Sequence, residues 1–206
     1  KKKIFNFGSP SLDYIKKINN LNKKELSNLL NINFNKYNIL VTFHPETKNL
    51  KETFKNLTNL LESLINLGDD YNFFFTGSNV DTYGQKFNKK ILSIVKKKKN
   101  FYFFHNLGSK IYIQLAKKCQ LVIGNSSSII YEMPFIGTKS VLIGSRQDGR
   151  YMSKKIIKIK PFKRSIFNCI KANINKGKIN KDLVTYGNGF ASIRIYKKVN
   201  NLINEK

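Results

Sequence analysis

The sequence predicts an α/β fold in which a parallel, doubly wound sheet carries helices on both faces. Three observations predict it. Short apolar runs recur from about residue 38 onward, segments of helical periodicity lie between them, and turn-forming residues stand near the boundaries. A run that is apolar at consecutive positions belongs to a strand covered on both faces. Strands that alternate with helices are parallel, because each helix carries the chain back to the start of the next strand.

The elements follow in order. "NILVTF" (38–43) is apolar and partly β-branched and makes strand one. "LKETFKNLTNLLESLINLG" then sets Leu50, Phe54, Leu57, Leu60, Leu61 and Leu64 on one helical stripe, with Gly68 as a stop. "YNFFFTG" (71–77) is strand two and "GQKFNKKILSIVKKK" its helix; "NFYFFHN" (100–106) is strand three and "KIYIQLAKKC" a short helix. "QLVIGN" (120–125) is strand four, followed by a helix in "SSSIIYEMPFIG" that Gly137 ends. "KSVLIG" (139–144) and "KKIIKIK" (154–160) are strands five and six, and "PFKRSIFNCIKANI" is a helix expected to begin at its proline. The ends differ. Residues 1–36 hold a strand-like run at Ile4–Phe7, a turn at "GSPS" and a helical stretch "KKELSNLLN", too little for a domain. Residues 189–205 read as an amphipathic helix with Ile193, Tyr196, Val199 and Leu202 on one side, which must pack on something because an isolated helix of this length is marginal.

Composition narrows the function classes. The 206 residues suffice for one domain with a real core, and 41% hydrophobic residues exclude a disordered tail. No apolar run reaches the roughly 20 residues that cross a bilayer, and no signal-peptide pattern opens the chain. The expectation is a soluble cytoplasmic piece; it starts at Lys1 rather than Met, so something upstream is expected to be missing. Lys+Arg at 38 against Asp+Glu at 12 gives +26, which ordinarily points to a polyanion. The cations are mostly Lys, scattered beside abundant Asn and Ile, so a whole-chain bias toward solvated lysine is favoured over a nucleic-acid or membrane surface. Cys119 and Cys169 form no disulfide framework, and with two histidines and no CxxC a metal site is not expected.

Open parallel sheets bind ligands beyond the carboxyl ends of their strands, where helix N-termini present free N–H groups. Gly124-Asn125-Ser126-Ser127-Ser128 follows strand four. Three successive hydroxyls at a helix start make a phosphate cradle without a Walker lysine, although a lone Ser126 would serve equally as a helix cap. Glu132, on the same helix, could accept both hydroxyls of a ribose or simply favour the helix dipole. Arg146 and Arg150 in "GSRQDGR" follow strand five; a guanidinium there can grip a diphosphate through two parallel hydrogen bonds. His44, before Pro45, ends strand one with its ring aimed outward, as a ligand or as a surface histidine. His105, ending strand three, reads as structural.

The motifs "ILVTFHPET", "GSNVDTYG", "GNSSSIIYEMPFIG", "SVLIGSRQDGR" and "YGNGFAS", in this order, resemble the C-terminal half of hydrolysing UDP-N-acetylglucosamine 2-epimerases of the sialic- and legionaminic-acid type. "FNFGSPSLDYI" resembles their interdomain segment, so the similarity runs over essentially the whole chain. The resemblance implies a GT-B-like two-domain fold with the UDP-sugar between two Rossmann-like domains. Residues 1–36 would be the interdomain segment and a remnant of the N-terminal domain, 37–188 a Rossmann-like UDP-binding domain, and 189–206 a C-terminal helix. By the same resemblance Ser126 and Ser127 match diphosphate-binding serines, Glu132 a ribose-binding glutamate, and Arg146 an arginine near the diphosphate. His44 matches a histidine beside phosphate and sugar, Asn79 a nucleotide-contacting asparagine, and Leu107 a backbone contact near uracil. The sequence departs at Ile129, where glycine is usual, and at Lys139, where proline is usual.

The implied chemistry eliminates UDP to a glucal-type intermediate and adds water, releasing the 2-epimer as free sugar without a cofactor. In such enzymes the acids and one phosphate-binding arginine come from the N-terminal domain, which is expected to be missing from these 206 residues. Its own few acids are expected to lie away from the cleft. The full-length protein is expected to be a homodimer, with no specific nucleic-acid or membrane partner. The alternatives are the C-terminal half of a GT-B glycosyltransferase and a basic nucleic-acid-binding module; "RQxGR" and "YGxG" argue against the first.

Overall fold

The computed structural model describes residues 4–46, 49–78 and 82–204. Six strands form one parallel sheet: β1 (Tyr37–Thr42), β2 (Tyr71–Thr76), β3 (Phe101–Phe104), β4 (Leu121–Gly124), β5 (Ser140–Ile143) and β6 (Ile157–Ile159). Their order across the sheet is β3-β2-β1-β4-β5-β6. The winding therefore reverses between β1 and β4, which makes the gap beyond Thr42 and Gly124 the topological switch point.

Alternation along each strand sorts the core into two layers. Ile39, Val41, Phe73, Phe75, Ile123 and Val141 face one side, where they meet α3 (Leu50–Ile65), α4 (Thr82–Val95) and α7 (Lys163–Asn173). Leu40, Phe74, Val122 and Leu142 face the other, against α5 (Gly108–Lys118) and α6 (Ser128–Ile136). Burial of both faces is what the continuous apolar runs demand.

The N-terminal stretch departs from its sequence reading. Ile4–Phe7 forms no strand, and the expected "GSPS" turn opens a helix, α1 (Pro10–Lys17), whose proline sits at the first helical position. The helical stretch is α2 (Lys23–Leu30), closed by a capping box between Asn22 and Glu25. Leu12, Ile15 and Ile32 join the second core layer, so these residues are folded onto the sheet. α7 begins at Lys163 rather than at Pro161, with Phe162 at its N-cap. The tail forms α8 (Ala191–Asn204), held at its start by the Asp13 carboxylate, which accepts from the Ala191 and Ser192 N–H groups at 2.9 and 2.6 Å. Its expected packing face is a correction: Ala191 is buried, whereas Ile193, Tyr196, Val199 and Leu202 are exposed in this chain.

Close approach of backbone requires glycine most stringently at position 124. Gly124 has φ +145°, and a Cβ on it would stand 1.9 Å from the Thr42 carbonyl oxygen on β1. Gly124→Ala is therefore expected to destabilise the fold by at least about 2 kcal/mol, read as a lowered urea midpoint.

Candidate functional site

The site is assembled where β1 and β4 diverge, around Asn125. The Asn125 N–H donates to the Thr42 carbonyl at 3.1 Å. Its side chain then clamps the next strand end: Oδ1 accepts from the His44 N–H at 2.7 Å, and Nδ2 donates to the His44 carbonyl at 2.9 Å. The Asn125 carbonyl in turn accepts from Arg146 Nη1 at 3.0 Å and from Gln147 Nε2 at 2.8 Å. Three strand ends, those of β1, β4 and β5, are thus tied through one residue. Ser126 follows immediately, and the first turn of α6 closes with the Ile129 N–H on the Ser126 carbonyl at 3.2 Å. The N-terminus of α6 consequently faces the switch point with its dipole.

A cavity of about 250 Å³ lies beside this hub, lined by Ser126, Ser128, Thr42, Tyr112, His105 and Leu107 among others. Leu107 sits at the N-cap of α5, and Gly108 follows in the left-handed region at φ +62°. Glu132 is on α6 one turn beyond Ser128, and its charge is felt by the Tyr112 phenol. Two buried acceptors, Glu132 Oε2 and Gln147 Oε1, have no hydrogen-bond partner among the described residues. Such orphaned oxygens call for a donor.

The electrostatics of the candidate site rest on few charges. Burial, followed by the Arg146 guanidinium, pulls the His44 imidazole from 6.5 down to about 4, so it is neutral at physiological pH. Burial raises the Glu132 carboxyl and lowers Arg146, which the Glu46 carboxylate partly restores. Arg146 therefore remains the cation at the centre of the site, while the α6 N-terminus and hydroxyls supply fixed dipoles. Among the described residues α6 is also the one helix without lysine; each of the other seven carries at least one.

A family model described as UDP-N-acetylglucosamine 2-epimerase matches residues 1–200. The chain belongs to that family. It is 40% identical over 157 residues to a GDP/UDP-N,N'-diacetylbacillosamine 2-epimerase (hydrolyzing) of Campylobacter jejuni, covering 76% of this chain and 41% of that protein. It is 27% identical over 182 residues to a UDP-N-acetylglucosamine 2-epimerase of Neisseria meningitidis, covering 88% of this chain and 47% of the relative. In fold it matches the S. aureus MnaA–UDP co-structure with a TM-score of 0.71 at 18% identity, over 96% of this chain and 53% of that one. The chain thus spans about half the length of the relatives it matches, as one Rossmann-like half of a GT-B-like fold.

Within this family member, His44, Ser126 and Arg146 converge on Asn125, and Leu107 and Ser126 share one cavity. Ser127 is the N-cap of α6 without a side-chain cap bond. Asn79 lies outside the described residues. His105, read as structural, stands in the cavity wall with its ring edge-on to Phe103. One sequence expectation changes. The acids are not all remote: Glu46, two residues beyond His44, lies in the field of Arg146, and burial raises its carboxyl. Asn125, Tyr112, Gln147 and Glu46 were missed. Asn125 was legible, as the polar residue directly after strand four; Tyr112 was not, because on α5 it reads as part of an apolar stripe.

The low His44 value fixes a pH dependence. Below about 6.5 the unfolded chain takes a proton on His44 that the folded chain refuses until about pH 4. Stability is fully present above 6.5 and declines as pH falls through that window. His44→Asn is expected to flatten the wild-type difference in urea midpoint between pH 7 and pH 4.5, recovering up to about 3 kcal/mol at the acid end.

Proposed function

We propose that this chain is the UDP-binding half of a hydrolysing 2-epimerase acting on UDP-N-acetylglucosamine or its N,N'-diacetylbacillosamine counterpart. The observation that carries the reading is the convergence of Ser126, His44 and Arg146 on Asn125 at the switch point. Membership of the family and the 40% identity to the Campylobacter enzyme support the substrate class. In this reading the diphosphate lies over the α6 N-terminus, gripped by Arg146 and by the Ser126 and Ser127 hydroxyls and amides. The unpartnered Glu132 oxygen accepts a ribose hydroxyl. Leu107 and its neighbours hold the base through backbone groups.

The reaction asks two things of the protein. The C1–O bond to UDP breaks while a base removes the C2 proton, giving the C1=C2 glucal; water then adds its hydroxyl at C1, and a proton returns to C2 on the opposite face. Charge develops on the departing UDP, and the α6 dipole with Arg146 stabilises it where it forms. Neutral His44 stands beside the phosphate and sugar with one N–H and one lone pair to offer. The C2 base comes from the complementary half, which faces this one in a cytoplasmic homodimeric enzyme.

Two measurements test this. Calorimetry is expected to show UDP binding to the chain, weakened at least about tenfold in Arg146→Ala, the loss of one charge-assisted contact. The chain joined to the N-terminal half of the Campylobacter relative is expected to release UDP and the free manno-configured sugar. Sugar retained on UDP would instead identify a non-hydrolysing epimerase.

A further inference from the structure

The hydroxyl groups that line the cavity form a continuous chain with a single direction. Thr76 Oγ1 donates to Thr42 Oγ1 at 3.1 Å, and Thr42 Oγ1 donates to the Tyr112 hydroxyl at 3.2 Å. The Tyr112 and Ser128 hydroxyls are 2.6 Å apart, and Ser128 Oγ donates to Ser126 Oγ at 3.1 Å. A hydroxyl has one proton. Since Ser128 gives its proton to Ser126, Tyr112 is the donor to Ser128, and every link points toward Ser126.

Ser126 ends the chain. Its oxygen receives the Ser128 hydroxyl and also the Ser128 N–H at 3.3 Å, which fills both lone pairs. What remains is its own proton. A side chain that can only donate recognises an acceptor, and beside the α6 N-terminus that acceptor is an anionic oxygen. Successive donors polarise one another, so each upstream hydroxyl strengthens the last one.

We propose that Thr76, Thr42, Tyr112 and Ser128 form a one-way hydroxyl relay that makes Ser126 an obligate donor to a diphosphate, with Tyr112 as its central positioning residue. This rests on the UDP reading above for the identity of the ligand, and extends it to residues on β1, β2 and α5 that do not themselves need to touch the phosphate. Burial pushes the Tyr112 phenol up to about 12, so its proton stays in place across the physiological range. The relay also spans the switch point: it links β2 and β1 through α5 to α6, and so couples the cavity wall to the phosphate cradle.

The test is calorimetric titration of the wild type, Tyr112→Phe, Thr42→Val and Thr42→Ser with UDP, uridine and inorganic pyrophosphate. Tyr112→Phe keeps the ring and removes one link. It is expected to lower UDP and pyrophosphate affinity about tenfold, the size of one hydrogen bond to a charged group, and to reduce the ratio of UDP to uridine affinity by the same factor. Thr42→Val is expected to give a smaller loss of the same kind, and Thr42→Ser to restore it. A merely structural role would lower UDP and uridine affinity together; that result, or unchanged UDP affinity in Tyr112→Phe, overturns the relay. If Tyr112→Phe does not fold, Thr42→Val against Thr42→Ser decides by the same ratio. Pyrophosphate binding that depends on the relay, with no preference for UDP, would keep the relay and sink the nucleotide reading. A wild type that binds neither UDP nor pyrophosphate overturns both.

Discussion

The arrangement depends on one side-chain amide. At the switch point two adjacent parallel strands end and their chains turn opposite ways, leaving backbone groups that no ladder satisfies. Asn125 satisfies them from both sides. Its amide pairs with the N–H and carbonyl of His44 as a neighbouring strand would, and its own carbonyl collects Arg146 and Gln147. An aspartate could accept from His44 but could not donate to its carbonyl. Asn125 therefore fixes the His44 backbone through its amide and the Arg146 guanidinium through its main-chain carbonyl, beside the Ser126 hydroxyl that follows it in the chain. That preorganisation is what lets a few polar groups act as a site.

The sheet was readable in the sequence because both of its faces are covered. "NILVTF", "YNFFFT" and "QLVIG" are apolar at consecutive positions, and their shortness, with turn-forming residues near their ends, favours strands over buried helices. The candidate site residues were readable for a related reason, since His44, Ser126 and Arg146 follow strand ends closely. What escaped was set by tertiary contact. Pro10 opens α1 because that helix has the second core layer to bury Leu12 and Ile15 against, and nothing local distinguishes this from a turn. Tyr112 sits at a helical position whose spacing announces only packing; its function lies in which hydroxyl stands 2.6 Å away. Glu46 escaped because its significance is its nearness to Arg146, a hundred residues on.

Net charge proves a poor guide to where the chemistry is. In a chain of +26, the candidate site gathers an arginine, a histidine held neutral, and the one helix without lysine among the described residues. A lysine in the first turn of α6 would oppose the positive end of its dipole and add a mobile point charge. Fixed N–H groups, hydroxyls and one planar guanidinium discriminate by geometry, which a flexible ammonium cannot. Most lysines lie on the remaining surface; Lys139 is buried, and Lys178 donates to the Cys119 carbonyl and the Thr138 hydroxyl, both away from the cradle.

Two positions five residues apart show how differently the cradle tolerates change. At Gly124 a single Cβ would collide with the Thr42 carbonyl, because β4 runs against β1 at the point where the turn must begin. At Ile129, where glycine is usual in similar sequences, a full branched side chain is accepted and completely buried. It projects away from the ligand side into the second core layer, together with Met133 and Leu142, while its N–H still closes the first turn on Ser126. The departure thus leaves the path of Ser126–Ser128 intact and adds apolar burial beneath it, about 1.5–3 kcal/mol for a side chain of this size. A stiff β-branched residue at that point anchors the start of α6 to the sheet. The Ser126–Ser128 segment is held from below by packing and from the side by Asn125.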